Sequence, residues 1–262
     1  MPELPEVEIF KRYLDRTSLH QRIVGVDVQR PYVLKDISAR DLARQLKGRC
    51  FESSRRHGKH LFVRAGRDLW LRLHFGMTGS LKYLKPDDQT PPYAQVLFTF
   101  QKNRRLAFDD PRQFGEIGLV DDADEFLKKR AVGADALDIG FSKFRDIFKE
   151  NRGSVKSVLL NQKLIAGIGN LYADEILFRT RVHPATELSR LRDTDVARLF
   201  TAARYILEKT IQVKANADRT PRGWLLRQRG KGGKCPRCNR ELKSATIGGR
   251  TAWFCAHCQK SI

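Results

Sequence analysis

The sequence predicts an α+β protein, with a first half that is mostly antiparallel sheet and a second half that is helical and closes on a four-cysteine ribbon. Three observations carry this. An apolar period of two dominates the first 131 residues, a helical period takes over near residue 141, and two Cys-x2-Cys pairs lie close to the end. At 262 residues the chain can bury a sizeable core in one large domain or two modest ones. The expected division is an N-terminal sheet domain at 1–131 and a helical domain at 138–262, with a zinc finger at 232–262. The stretch VGADA at 132–136 reads as the linker, and no internal repeat is evident.

Residues 5–18 read as a helix. Pro5 suits a first turn, where its missing N–H costs nothing, and Val7, Phe10, Leu14 and Tyr13 share a face. The period then becomes two. Val24, Val26 and Val28 alternate with small or polar residues, as do Leu69, Leu71, Leu73 and Phe75. Val96, Phe98 and Phe100 repeat the pattern, and Lys102, Asn103 and Arg104 read as a hairpin turn before Leu106 and Phe108. Such strands make a sandwich or a flattened barrel with one leading helix. Candidate helices follow at 141–150, 155–161, 171–179 and 188–211.

Charge narrows the partner. Lys and Arg number 50 against 30 Asp and Glu, a net charge of +20. A surface this basic repels itself unless it meets a polyanion, and nucleic acid is the usual one. Residues 212–262 hold 12 of the cations and only 2 of the acids, half of the excess. No apolar run of about 18 residues suggests a membrane span. No secretory leader is evident either, and a prokaryotic cytoplasm is the expected location.

Cys235 and Cys238 are separated from Cys255 and Cys258 by 16 residues, the spacing of a zinc ribbon. Two knuckles of two sulfurs close a tetrahedron, and four thiolates leave the metal no open position. One structural zinc ion is expected. Two disulfides would suit a secreted protein, which nothing else here suggests. Gly248 and Gly249 fit a hairpin turn between the pairs, with Arg250 at or beside its tip. Cys50 has no evident role. The stretch NQKLIAGIGN, residues 161–170, offers a second site. Gly167 and Gly169 permit a tight turn, Asn170 is placed to cap the next helix, and Lys163 adds charge. A helix N-terminus with free amides takes a phosphate.

The opening MPELPEVE is a tight acidic cluster on a basic chain. Loss of Met1 would leave Pro2 as a secondary amine, with a pKa near ~8 that keeps a useful fraction uncharged at neutral pH. Such an amine attacks an electrophilic sugar carbon and must yield a cationic iminium, an electron sink for elimination. Glu3 and Glu6 could move protons beside it. Acids also suit a helix start by complementing its dipole, which accounts for Glu6 and Glu8 but not for Glu3 directly behind Pro2.

MPELPEVE, the GIGN turn and the terminal four-cysteine ribbon with Arg250 together resemble the formamidopyrimidine-DNA glycosylase family, whose relatives include endonuclease VIII. The likeness runs in order over essentially the whole chain. Leu4 before Pro5 is closer to the formamidopyrimidine branch. The resemblance implies an N-terminal antiparallel β-sandwich with a leading helix, then a helix-two-turns-helix domain with a zinc-ribbon hairpin. It implies a monomer acting on damaged double-stranded DNA, with no membrane partner. Pro2 would be the nucleophile, Glu3 the catalytic acid at the deoxyribose, Glu6 a supporting carboxylate and Lys59 the grip on a phosphate beside the lesion. Lys163, Asn170 and Arg250 would hold DNA backbone, and Met77, Arg112 and Phe114 would fill the void left by a flipped base. A base must leave the stack before a protein amine can reach its sugar, at a cost of a few kcal/mol, so a wedge is physically required.

Two departures bear on the substrate. Only 23 residues separate Ile211 from Cys235, where members that excise 8-oxoguanine carry a longer segment, and the aromatic-Gly-Arg run before the ribbon is LRQRG at 226–230. A more open base pocket is expected, taking ring-opened purines or oxidised pyrimidines at least as well as 8-oxoguanine. Gln113 stands where a second Arg is common, which bears on the opposite base. The expected activity is a bifunctional DNA glycosylase and AP lyase working by β,δ-elimination. The alternatives are an endonuclease VIII-like specificity for oxidised pyrimidines, or a non-catalytic zinc-ribbon DNA-binding protein in which a retained Met1 masks the amine.

Overall fold

Leu4, Pro5, Val7 and Leu14 are buried along the first helix, α1 (Leu4–Thr17), so its first turn is packed into the core. The computed structural model describes residues 2–260 and divides into two units, Met1–Ala131 and Val132–Ile262.

In the first unit α1 precedes eight strands. These are β1 (Ile23–Val28), β2 (Ser53–His57), β3 (His60–Arg64), β4 (Trp70–His74), β5 (Ser80–Leu84), β6 (Ala94–Phe100), β7 (Arg105–Asp109) and β8 (Glu116–Val120). They form two antiparallel four-stranded sheets, ordered β1-β6-β7-β5 and β2-β3-β4-β8. One apolar core, including Leu61, Val63, Leu71 and Leu73 of one sheet and Val96, Phe98, Leu106 and Phe108 of the other, makes this a sandwich. The β6–β7 connection turns through Lys102 and Asn103, both with positive φ, as a tight hairpin requires.

Two short helices were not foreseen, α2 (Ala39–Leu46) and α3 (Ala123–Lys129). Each has a legible start, with the Ser38 hydroxyl accepting from Asp41 N–H and the Asp122 carboxylate accepting from Asp124 and Glu125 N–H. The alternation in β1 also breaks. A bulge between Ile23 and Gly25 puts Ile23 inside and leaves Val24 43% exposed, so Val24 does not share the face of Val26 and Val28.

The second unit holds α4 (Phe141–Glu150), α5 (Val155–Leu160), α6 (Asn170–Thr180), α7 (Asp193–Gln212) and a terminal hairpin. The stretch read as a linker is part of its packing. Ala134 and Asp135 form β9, which pairs in parallel with β10 (Ile165–Ala166). The long helix expected at 188–211 starts later. Residues Leu188–Arg190 form a 3-10 turn, and Arg192 N–H donates to the Asp195 carboxylate at 3.1 Å to open α7. Among the described residues no helix is long and apolar enough to cross a membrane.

A buried polar cluster sits on the β3–β4 pairing. His60 lies opposite His74, with ring centroids 5.1 Å apart, and the rings of Phe62 and Phe126 pack beside it. Arg72, almost fully buried, is ion-paired with Glu116 at 2.9 Å. Burial, then the positive charges of His74, Arg72, His57 and Arg130, pushes His60 down to about 3. The unfolded chain therefore binds a proton here near pH 6.5 that the folded chain refuses, and stability present above that pH is lost as pH falls toward 3. Urea unfolding should show the wild type losing on the order of 3 kcal/mol between pH 7 and pH 4 that His60→Phe retains. Parallel stability curves for the two proteins would contradict this.

Candidate nucleic-acid interface and metal centre

The start of the chain is held by a helix cap. Glu3 precedes α1 and is 0% exposed, and its N–H donates to Glu6 Oε2 at 2.9 Å. Glu6 thus fixes the backbone that carries Glu3 and Pro2, and Pro2 is half-buried. Farther along α1, Glu8 accepts from Arg56 of β2 at 3.1 Å, and the Phe10 ring lies 4.6 Å from Phe75. Lys59 occupies the turn of the β2–β3 hairpin, beside the His57–His60 pair. Its ammonium bears on His74. That imidazole is pushed down first by burial, against the pull of Glu116, and then by Arg72 and Lys59.

Met77, Arg112 and Phe114 lie on two loops that one carboxylate ties together. Asp110, fully buried, accepts from the Thr78 hydroxyl and, at 2.7 Å, from Gly115 N–H. Thr78 Oγ1 in turn accepts from Arg112 N–H at 3.1 Å. A Cβ at Gly76, whose φ is +55°, would stand 2.4 Å from the Phe114 carbonyl, so the two loops touch backbone to backbone. On this base Met77 is 38% and Phe114 54% exposed, and the Arg112 guanidinium lies 5.1 Å over the Phe114 ring. An exposed Met and Phe on a polar scaffold do not contribute to the core.

In the second unit the NQKLIAGIGN turn is stapled by Gln162, a residue the sequence did not single out. Gln162 Nε2 donates to the Leu160 and Ile168 carbonyls, and its Oε1 accepts from Gly167 N–H at 2.9 Å. Lys163 is exposed on this turn. Asn170 is not the cap of α6. Gly169 occupies that position and Asn170 is the first helical residue. Its Nδ2 instead donates to the Thr251 carbonyl at 3.0 Å, joining the turn to the terminal hairpin. That hairpin pairs β11 (Lys243–Ile247) with β12 (Arg250–Phe254) across Gly248 and Gly249, at φ +59° and +70°. Arg250 is exposed as the first residue of β12, beside the tip.

Two adjacent acids of α6 were also missed, though both lie inside an apolar helical run, NLYADEILF, where a charge needs a reason. Asp174 is bound by Lys156 and Arg229. Burial pushes Glu175 up to about 7, against the Leu226 N–H that donates to it at 2.9 Å.

The four cysteines fit a metal. Their sulfurs all lie within 4.8 Å of one another, with Cys235–Cys258 at 3.8 Å and Cys238–Cys255 at 3.5 Å. A tetrahedral Zn–S bond of ~2.3 Å implies sulfur pairs about 3.8 Å apart. The cluster is the place of one zinc ion, closed on all four sides and therefore structural. Arg237, between the first two ligands, docks the knuckle by donating to the Phe178 and Arg179 carbonyls and lying 4.3 Å over the Phe178 ring.

A β-sandwich with a buried helical start, followed by a helical unit with a basic zinc ribbon, defines a zinc-ribbon nucleic-acid-binding protein. Family models refine this. Residues 1–117 match the formamidopyrimidine-DNA glycosylase N-terminal domain, 132–221 its H2TH domain, and 232–260 the zinc finger found in FPG and IleRS. The formamidopyrimidine-DNA glycosylase of Pelotomaculum thermopropionicum is 31% identical over 274 residues, covering 99% of each chain. That of Streptococcus pyogenes is 34% identical over 276 residues at the same coverage. The Lactococcus lactis enzyme bound to DNA containing an AP site superposes with a TM-score of 0.89 at 27% identity, covering 99% of this chain and 100% of that one. A MutM complex with DNA containing carbocyclic 8-oxo-G has the same score, identity and coverage. The chain belongs to the formamidopyrimidine-DNA glycosylase family.

Cys238→Ser or Cys255→Ser should lower bound zinc, measured by atomic emission, from one ion per chain to below a tenth. The hairpin amides of 243–254 should lose hydrogen-exchange protection along with the metal. Full protection without metal would show that the hairpin does not depend on it.

Proposed function

We infer that this protein is a bifunctional DNA glycosylase and AP lyase that removes oxidised or ring-opened bases from duplex DNA as a monomer. The observation that carries the reading is the complete burial of Glu3 directly behind Pro2, on a helix start pinned by Glu6. A chain terminus usually frays, and here it is held as a reagent must be.

Pro2, freed of Met1, attacks C1′ of the flipped nucleoside, and the C1′–N bond breaks with its electrons leaving on the base, which takes up the proton that the Pro2 nitrogen loses. Removal of Met1 lies outside the described residues. Glu3 supplies the proton that opens the sugar ring, and the nitrogen becomes a C1′ iminium. The iminium acidifies the C2′ hydrogens, so the 3′-phosphate leaves by β-elimination and the 5′-phosphate by δ-elimination. Glu6 acts through the Glu3 backbone. Lys59 holds a phosphate beside the lesion, Lys163, Asn170 and Arg250 hold the backbone, and Met77, Arg112 and Phe114 fill the emptied stack. The zinc ion shapes the hairpin, and no step runs through it.

An endonuclease VIII-like assignment is not favoured, since every relative named above is a formamidopyrimidine-DNA glycosylase. Within that activity the base site is read as more open. The stretch between α7 and the ribbon is a compact one. Arg227 donates to the Ala217, Asp218 and Thr220 carbonyls, and Trp224 and Leu225 are buried. Little chain is left to fold over an everted base.

Borohydride should trap a covalent adduct of the wild type with an abasic-site duplex. Pro2→Gly should lower the yield at least tenfold and Glu3→Gln should suppress base excision, with intact mass reporting the loss of Met1. Tight binding with no adduct would identify a binder instead. On matched duplexes, excision of formamidopyrimidine or thymine glycol should equal or exceed that of 8-oxoguanine. A clear preference for 8-oxoguanine would refute the open pocket.

A further inference from the structure

The side of the terminal hairpin that follows Arg250 rests on a buried charge cluster. Asp174, on α6, is 1% exposed, and Lys156, on α5, is 0% exposed. Lys156 Nζ donates to Asp174 Oδ1 at 2.6 Å, and Arg229 Nε donates to Asp174 Oδ2 at 2.9 Å. The same Oδ2 accepts from Trp253 N–H of β12 at 3.1 Å. The two cations then reach past the carboxylate to one backbone atom, the Thr251 carbonyl. Lys156 Nζ lies 3.3 Å from it and Arg229 Nη2 3.4 Å, and Asn170 Nδ2 donates to it at 3.0 Å.

We propose that Asp174 and Arg229 are positioning residues for the DNA-phosphate contact, acting through the Thr251 carbonyl on Asn170 and Arg250. The inference rests on the reading of Asn170 and Arg250 as phosphate ligands. Its logic is geometric. A carbonyl can only accept, so Thr251 O decides which end of the Asn170 amide faces it, and that end is the NH2 group. One amide hydrogen is taken by the carbonyl and the other is left for an anion. Thr251 directly follows Arg250, so the bonds that fix its carbonyl and the Trp253 amide also fix the backbone from which Arg250 extends. Asp174 is the centre of this because it holds both cations at once. Without it, two positive charges would face each other across a carbonyl.

Charge supports the same role. Two cations meet one carboxylate, leaving one positive charge in excess, with Lys156 and Asp174 buried and Arg229 18% exposed toward the hairpin. Part-buried charges are screened less than fully exposed ones, so the excess adds to the pull of Arg250 on a phosphate. The hairpin is also seated from its tip. A Cβ at Gly248 would meet Ser157 Oγ of α5 at 2.9 Å, so the turn lies directly on the helix that supplies Lys156.

The test is a double-mutant cycle. Arg229→Gln and Arg250→Ala are made singly and together in the full zinc-loaded chain. Dissociation constants are measured for a duplex carrying a tetrahydrofuran abasic analogue, with zinc content and melting temperature alongside. Arg229→Gln should weaken binding about tenfold in the wild-type background and only about threefold in the Arg250→Ala background, where the Asn170 contact alone is left to lose. Arg229→Lys, which keeps the charge but not the two-pronged contact, should fall between. If Arg229→Gln loses its zinc, Arg229→Lys carries the cycle alone. A purely structural role would give additive losses, and that result would overturn the proposal. If Arg250→Ala binds like the wild type, the phosphate reading itself fails and the positioning role falls with it, an outcome distinct from additivity.

Discussion

The first unit depends on holding the first turn of α1 inside the protein. Termini pay little entropy to stay loose, so ordering one takes dedicated contacts. Here Leu4, Pro5 and Val7 are buried within the first seven residues, and the Glu6 carboxylate takes the one backbone amide of Glu3 that the helix leaves unused. The acidic opening of a basic chain is therefore two things at once. It completes the first turn of α1, and it places carboxylates beside Pro2.

The second unit solves a different problem. A two-stranded hairpin has too little core to stand alone. Zinc closes one end of it. The other end leans on α5 and α6 through Asp174, Lys156 and the Asn170 amide, all of them polar. Burying charge in this way costs solvation, and a well-packed apolar contact would stabilise the fold as well or better. What the polar arrangement adds is direction. Hydrogen bonds fix the orientation of an amide and a guanidinium, which apolar packing leaves free.

Much of this was legible in the residues. Period-two runs gave the sandwich strands, the cysteine spacing gave the ribbon, and the paired glycines gave its turn. The failures have physical causes. A bulge at Ile23–Gly25 resets strand parity, and nothing in a run of alternating valines announces it. The 188–192 stretch carries the helical apolar period but starts with a 3-10 turn, because Asp195 caps from the side-chain direction only at Arg192. Asn170 has the residue type of a cap, and its amide was drawn away by a carbonyl 81 positions later in sequence, which no local pattern can report. A second pairing distant in sequence, with Ile165 and Ala166, turns 134–135 from a connection into a strand. The exposed placement of Met77 and Phe114 was legible only through the family resemblance, since composition alone would have put both in the core.

The backbone contact at Gly76 has a consequence for how the chain can change. The loop of Met77 and the loop of Arg112 and Phe114 are more than thirty residues apart, yet no atom heavier than hydrogen fits between Gly76 and the Phe114 carbonyl. A side chain gained on one loop displaces the other, so drift in either is vetoed by its neighbour. Related sequences should therefore inherit the two loops as a single block, with variation concentrated in the tips that project from it and almost none in the seam beneath.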